Sequence, residues 1–398
     1  HRSQAPRKLR IAGIFAPMFE QIYYLIRLTQ SECHVKGDTL QKILQSQRLR
    51  YVKTKKKPPV QLLIRDLAIE EYQNFVDQHP QSIVFHHRRW LELLCDQHGF
   101  GLHLPAVTDG TSILAAIPFL ETKSIFGKRK LISLPFTDSV GLLGDSKALA
   151  ALTRRLTSSP YDKFDTIVIR TNQPTSVDSA DPAWVRHTIA LDRPFEQVYS
   201  GFERRLKTNL RRARKSDLTF SCHTSAEAVQ EFYNLQLMTR RRLGVPVQPR
   251  RFFCRLRERL LEEGFGHIAL VRQGTKTVAA GVFLHYNGTM IYKYSAADPS
   301  ALECRPNEFL TYNAIKRSIE LGCHLFDFGI SNQSQDGLRR YKRKFGATEE
   351  TVYREFITGE QRPLTEDSAA MTFASALIRN SPFFVCRALG ETFYRYSQ

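Results

Sequence analysis

Acidic residues are scarce: 39 Asp and Glu stand against 58 Lys and Arg in 398 residues, a formal charge of +19. That surplus points to an anionic partner. The seven cysteines (33, 95, 222, 254, 304, 323 and 386) form no Cys-x-x-Cys and no close Cys/His cluster. Structural zinc, whose ligands come in closely spaced pairs, is therefore not expected. The odd count argues against a disulfide framework and for a reduced, cytosolic setting. Glycine (21) and proline (18) are too few for a collagen-like or low-complexity chain, and 42% hydrophobic residues are too many for a disordered one. Long apolar runs are missing as well. Residues 11–28 carry Glu20 and Arg27, and 374–389 carry Arg379 and Arg387, whereas a span needs about 20 nearly uncharged residues. No signal-peptide pattern is evident. Walker and Rossmann glycine loops and Gly-x-Ser-x-Gly do not occur. His86-His87 is followed by Trp90 and Leu91 where a condensation-type motif would need an acid.

What is present divides the chain. Residues 1–58 read as a basic extension, with seven cations and no acid between Lys42 and Lys57, closed by Pro58-Pro59. From residue 60 strand and helix signals alternate, the pattern of an α/β protein. Strands are expected at 60–64, 104–107, 113–120, 131–135 and 166–169, and helices at 68–76, 86–95 and 147–157. The second half is clearer. Residues 194–216 read as one helix whose stripe is Val198, Phe202, Leu206, Leu210 and Ala213. Thr224 with Glu227 forms a capping-box signature for a helix to Gly244. A further helix fits 250–263. Strands follow at 267–271, 277–286 and 289–295, the last two joined by the hairpin signal Asn287-Gly288. A helix at 307–321 and strands at 324–330 and 350–357 complete the pattern.

The halves resemble one another. Residues 115–120 (Ala-Ala-Ile-Pro-Phe-Leu) match 279–284 (Ala-Ala-Gly-Val-Phe-Leu). Each is followed by a strand, a helix, and a strand bearing an aspartate, Asp165 or Asp327. An offset of roughly 160 residues is about one domain length, so this is a duplication and not a solenoid.

Several motifs carry a family resemblance: Lys207-Thr208-Asn209-Leu210-Arg211-Arg212, Thr239-Arg240-Arg241-Arg242-Leu243-Gly244, Pro306-Asn307, Phe326-Asp327-Phe328-Gly329 and Gly337-Leu338-Arg339-Arg340-Tyr341-Lys342. The chain resembles the Fem-type branch of the GNAT superfamily, with its tandem GNAT-like domains. That branch includes the peptidoglycan interpeptide-bridge aminoacyltransferases. The likeness is greatest to acetyltransferase-like relatives found beside envelope polysaccharide genes. It covers about residues 60–360 and the tail from Ser381 to Tyr396. The expected fold is α/β with mixed (α+β) sheets: two tandem GNAT-like acyltransferase domains at 59–182 and 183–360, an extension at 1–58 and a helical tail at 361–398. The resemblance implies an N-acyltransferase whose co-substrate is acetyl-CoA or aminoacyl-tRNA, with no tightly bound cofactor and no metal. The acetyl-CoA branch usually has an Arg/Gln-x-x-Gly-x-Gly/Ala loop that cradles pyrophosphate. Here residues 297–307 contain no glycine.

Acyl transfer to an amine needs a proton acceptor and a stabilised oxyanion. Asp327, present in the family pattern, is either that base or the buried partner of an arginine. Tyr292 and Tyr294 alternate around Lys293, which puts them on one strand face as proton donors or as core aromatics. Lys342 matches a lysine that lies in the active site of the resembling enzymes, near the donor; alternatively it is one surface cation among Arg339, Arg340, Arg343 and Lys344. Arg204, Thr208, Arg211 and Lys215 fall at i, i+4, i+7 and i+11, a stripe suited to phosphates of a carrier nucleotide or a tRNA donor. Asn307 and Asp138 complete the substrate-binding candidates, Asp138 through the family-like segment Ser133-Leu134-Pro135-Phe136-Thr137-Asp138. The acceptor is expected to be an anionic small molecule or lipid-linked precursor of the cell envelope. The charge also suits peripheral contact with an acidic inner-membrane face. The alternative is a non-catalytic RNA- or membrane-surface-binding protein on the same scaffold.

Overall fold

The computed structural model describes residues 62–123, 127–138, 140–175, 180–359 and 369–396. The basic extension at 1–58 and the apolar segment 11–28 lie outside the described residues. The first half runs β1 (Leu63–Asp66), α1 (Ile69–Gln78), α2 (Arg88–His98), β2 (Gly101–His103), β3 (Pro105–Thr108), β4 (Ile113–Ala116), β5 (Phe119–Lys123), β6 (Arg129–Ile132), β7 (Leu143–Gly144), α3 (Ser146–Arg155), β8 (Thr166–Thr171) and β9 (Ala180–Ala190). The second half runs α4 (Phe195–Ser200), α5 (Arg204–Arg214), β10 (Leu218–His223), α6 (Ala226–Leu243), α7 (Arg250–Leu256), β11 (Gly266–Gln273), β12 (Lys276–Tyr286), β13 (Thr289–Ala297), α8 (Pro306–Glu320), β14 (Leu325–Asn332), α9 (Asp336–Arg343) and β15 (Thr348–Thr358). Helices α10 (Ala369–Asn380) and α11 (Phe383–Tyr396) follow.

Four strands form a small sheet in the order β1-β3-β4-β7; the other eleven form one sheet, β10-β11-β12-β13-β14-β9-β15-β8-β6-β5-β2. The duplication is visible in the pairings. Strands β11-β12-β13-β14-β9 and β2-β5-β6-β8-β15 both pair antiparallel, antiparallel, parallel, antiparallel. Each parallel step is bridged by a helix, α8 or α3, as a parallel crossover requires. The closing strands are exchanged. β9, which follows the first half's β8 in sequence, pairs with β14, and β15 pairs with β8. The two then pair with each other over Thr348–Glu355 and Ala180–Thr188. The domain boundary expected between 182 and 183 falls inside β9.

Local departures have local causes. The strand expected at 113–120 is two strands, broken at Ile117-Pro118. Proline has no N–H to give a ladder, and Ile117 N–H instead donates to the Pro105 carbonyl at 3.2 Å. The single helix expected at 194–216 is α4 and α5, parted at Gly201–Glu203. Its stripe survives the break, with Val198, Phe202, Leu206, Leu210 and Ala213 all buried. The cap of α6 is Ser225, whose hydroxyl accepts from Ala228 N–H, one residue beyond the expected Thr224. The helix expected over 250–263 is α7 followed by a π-helical turn, Arg257–Leu261.

Two aromatic-rich cores sandwich the long sheet in the second half: Phe232, Phe253 and Tyr294 on one side, and Phe283, Tyr292, Phe326 and Phe345 on the other. No helix among the described residues is long and apolar enough to cross a membrane. Because β8 gets its outer partner from β15, a chain ended after Gly346 should lose the single cooperative unfolding transition and give an expanded, protease-sensitive product. Urea denaturation followed by fluorescence and by circular dichroism checks this; a native-like cooperative transition in the truncated chain contradicts it.

Candidate active site

The parallel ladder between β13 and β14 is short. It runs Thr289–Leu325, Met290–Phe326 and Ile291–Asp327, and there the two strands part. Both bulge at that point. On β13, Tyr294 pairs with Val282 and Tyr292 with Phe283, which leaves Lys293 as the extra residue. On β14, Asp327 pairs with Thr188 and Ile330 with Arg186, so Phe328 and Gly329 together face His187. Gly329 holds φ +69°, a conformation that glycine adopts at little cost. Bulges re-aim side chains, and these two point charge into one place.

The first bulge corrects the expectation that Tyr292 and Tyr294 share a face. An extra residue between them reverses the alternation. Tyr292 stacks on Phe283 with ring centres 4.4 Å apart, while Tyr294 packs on the opposite side against Phe253 at 5.3 Å. Burial pushes the Tyr292 phenol up to about 12.

Lys293, read from sequence only as the spacer between the tyrosines, has a side chain only 5% exposed. Its Nζ donates to Asp138 Oδ2 at 2.9 Å and to the Phe136 carbonyl at 3.0 Å. The ammonium lies 5.1 Å from the Phe85 ring centre and 5.7 Å from that of Trp90, within cation–π range. The segment that presents Asp138 is held in an unusual shape, with Leu134 at φ +58° and Phe136 at φ +59°. Trp90 Nε1 donates to Thr137 Oγ1 at 3.0 Å, and the half-buried Arg170 donates from its guanidinium to the Thr137 carbonyl. Asp138 also lies against Gly329: a Cβ there would stand 3.3 Å from Asp138 Cγ. One carboxylate of the first half thus touches both parted strands of the second.

Lys342, on α9, is buried too. Its Nζ donates to the carbonyls of Gly329 at 2.9 Å and Ile330 at 3.1 Å. Burial lowers its pKa from 10.5 to about 8, against the opposing pull of Asp138 and Asp327. Neighbouring Tyr341 pins α9 to α8 by donating to the Asn307 carbonyl at 3.0 Å. Asp327 has both oxygens engaged: Oδ2 accepts from Arg186 Nε at 2.7 Å and Oδ1 from Gly329 N–H at 2.8 Å. Its side chain is 7% exposed, and that of Asp138 is 24% exposed. Arg186 in turn lines a cleft of about 250 Å³ between the halves, with Ser82, Gly141, Asn172, Gln173 and His324.

Of the residues singled out from sequence, the structure brings Asp138, Asp327 and Lys342 together. Lys293, Arg186 and Arg170 join them, and sequence reasoning missed all three. A lysine flanked by two strand aromatics was the available signal for Lys293. Arg204, Thr208 and Arg211 lie exposed along α5 and Lys215 at its C-terminal cap, with Leu206 and Leu210 turned into the core. Asn307 sits in the first turn of α8, its side-chain Oδ1 buried without a hydrogen-bond partner. No group of three or more His, Cys, Asp or Glu that could hold a metal occurs among the described residues.

Residues 200–343 match the family described as acetyltransferase (GNAT) domain. This is a GNAT fold. The matched stretch contains both bulges, Asp327 and Lys342. Among solved structures the chain is similar to FemX, at 15% identity and TM-score 0.61, covering 73% of this chain and 96% of that one. It is also similar to a conserved protein of unknown function from Bacteroides thetaiotaomicron (10% identity, 74% and 99% coverage, TM-score 0.50). A third similar structure is a tandem GNAT protein from the clavulanic acid biosynthesis pathway (10% identity, 76% and 100% coverage, TM-score 0.43). A comparison with curated protein sequences gives no match.

Lys293→Met leaves Asp138 part-buried without its cation and should cost about 3 kcal/mol of stability. Adding Asp138→Asn should restore part of that loss, and additive effects in urea denaturation would show that the pair is not coupled. For Lys342, the unfolded chain keeps its proton up to about pH 10.5 while the folded chain releases it near 8. Below pH 8 both states are charged and the burial cost stands in full. Between 8 and 10.5 the unfolded state binds more protons, so stability rises with pH. The wild type should therefore gain on Lys342→Met across that window, by at most about 3 kcal/mol. A pH-independent difference would contradict the buried-ammonium geometry.

Proposed function

We propose that the protein is an N-acyltransferase that passes an aminoacyl group from a tRNA to an amine on an anionic cell-envelope precursor, at the parting of β13 and β14. The observation that carries this reading is the buried Lys342 ammonium at the parting of two second-half strands, with Asp327 on one of them and Asp138 reaching in from the first half. The GNAT family match and the FemX-like fold support it.

In the reaction, the neutral amine attacks the donor's carbonyl carbon, and the C–N bond forms as the carbonyl electron pair moves onto oxygen. Lys342 stabilises that oxyanion, in a site where little water competes. The nitrogen becomes acidic as the bond forms, and Asp138, the more exposed carboxylate, takes its proton. Collapse of the intermediate expels the ribose oxygen, which takes a proton from Lys342. Asp327 holds Arg186 and the Gly329 bulge and so positions the carbonyls that bind Lys342. No covalent enzyme intermediate is needed.

The choice of donor rests on the N-terminus of α8. A pyrophosphate cradle needs free N–H groups. Here Arg305 N–H is taken by the Leu302 carbonyl, Pro306 has none, and the buried Glu308 carboxylate occupies the first turn. That carboxylate accepts from Asn209 Nδ2 at 3.3 Å, and its charge opposes a phosphate at this helix end. The exposed Arg204 and Arg211 on α5, with Lys215 at its C-terminal cap, suit a nucleic-acid backbone. The two donors separate by thermal shift, since a ligand specific to the folded state raises its melting temperature. Charged tRNA should raise it and acetyl-CoA should not; the reverse result overturns the choice of donor. Lys342→Ala should lower the transfer rate about a hundredfold while tRNA binding persists. If the wild type consumes neither donor with any amine acceptor, the chain is a non-catalytic binding protein and the enzyme reading is lost.

A further inference from the structure

Away from this site, the tail helices form a corner whose surface the transfer chemistry does not use. α10 and α11 pack against α6. Ile378, Ser381 and Cys386 face inward and are buried. The base of the corner is tightly fixed: a Cβ on Gly390 would fall 2.1 Å from the Val247 carbonyl oxygen, so α11 lies directly on that backbone. Arg379 Nη2 donates to the Leu243 carbonyl at 3.4 Å, which ties α10 to the end of α6.

The outer side is apolar where a surface should be polar. Nine large hydrophobic residues are exposed among the described residues, and Leu243, Leu377, Phe383 and Phe384 of this corner are four of them. They include both exposed phenylalanines, and Phe384, at 71%, is the most exposed of all nine. Arginines surround them. Arg241 lies 4.9 Å from the Phe383 ring centre, and Arg242, Arg379 and Arg387 are exposed. Across 369–396 the one acid is Glu391, which lies about two turns beyond Phe384 on α11. A patch that pairs with a second copy of itself would need acids to meet its own cations; here Arg241, Arg242, Arg379 and Arg387 stand against the single acid Glu391.

We propose that the α10–α11 corner is a membrane-docking surface, on which Phe383 and Phe384 enter the interfacial layer of an anionic bilayer while Arg241, Arg242 and Arg379 meet lipid phosphates. The two terms are complementary. Apolar side chains bury area in the headgroup–acyl boundary, and cations near an acidic leaflet add attraction that salt screens. Neither term alone holds a protein firmly, so removing the aromatic part should be visible with all the charge left in place. This inference is independent of the acyl-transfer reading and survives its failure.

The test is flotation of the full chain with vesicles of phosphatidylglycerol mixed with phosphatidylcholine, and with phosphatidylcholine alone. Wild type should float with the mixed vesicles, less with the neutral ones, and less at high salt. Phe384→Ser should weaken binding about tenfold, and Arg242→Glu should weaken it in the mixed vesicles alone. Phe384→Trp should keep binding and shift its emission to the blue when the mixed vesicles are added. Phe384 is solvent-exposed, so thermal melts of these variants should match wild type. Any of three results overturns the proposal: wild type fails to float; Phe384→Ser floats as wild type does, which places the contact on another basic surface; or a lipid-free dimer appears in sedimentation and Phe384→Ser dissociates it, which makes a second copy the occupant.

Discussion

Two parallel strands that leave each other inside a sheet expose backbone groups with no ladder to join, and a buried group of that kind must find another partner. Past the Ile291–Asp327 pair, the protein meets this demand with charge. The Gly329 and Ile330 carbonyls take the Lys342 ammonium, and Gly329 N–H takes Asp327. Each ion then needs a counter-ion, which draws in Arg186 from β9 and, through Lys293, Asp138 from the first half. The chain of dependence runs from strand geometry to charge, and from charge to the meeting of the two halves.

The exchanged strands make that meeting rigid. Arg186 is on β9, which the first half contributes to the second half's edge; Asp138 is on a loop braced by Trp90 and Arg170. A buried ion pair adds little net stability when its desolvation is counted. The cluster is better understood as fixing positions: Lys293, Lys342 and Asp327 are each held by two directed contacts, which a mobile surface pair would lack. A lysine held at a pKa near 8 by burial shows the consequence for chemistry, since its environment and not its covalent structure sets when it gives up a proton.

Much of the architecture was legible in the amino-acid order. The Asn287-Gly288 hairpin, the buried stripe on α4 and α5, and the order strand–helix–strand in both halves all follow from local rules of spacing and turn chemistry. The departures also follow from local rules, once their context is known. Pro118 breaks a strand for want of an N–H, and Gly201–Glu203 divide a helix whose apolar spacing runs on through the gap. The misplaced tyrosines are different in kind. Period-two alternation is a property of an uninterrupted strand, and nothing in Tyr292-Lys293-Tyr294 announces that β12 will skip a residue opposite it.

The sequence by itself determined the α/β duplication, the basic character, the lack of paired metal ligands, and the candidacy of Asp138, Asp327 and Lys342, because composition, periodicity and motif are carried by neighbours along the chain. Only the tertiary structure decided that these three meet, that Lys293 and Arg186 join them, and that each half closes its sheet with the other's last strand. The reason is distance in sequence. Asp138 and Lys293 are 155 residues apart, and Arg186 and Asp327 are 141 apart. No local preference connects such pairs; burial does, by making a lone charge too costly to leave without its opposite.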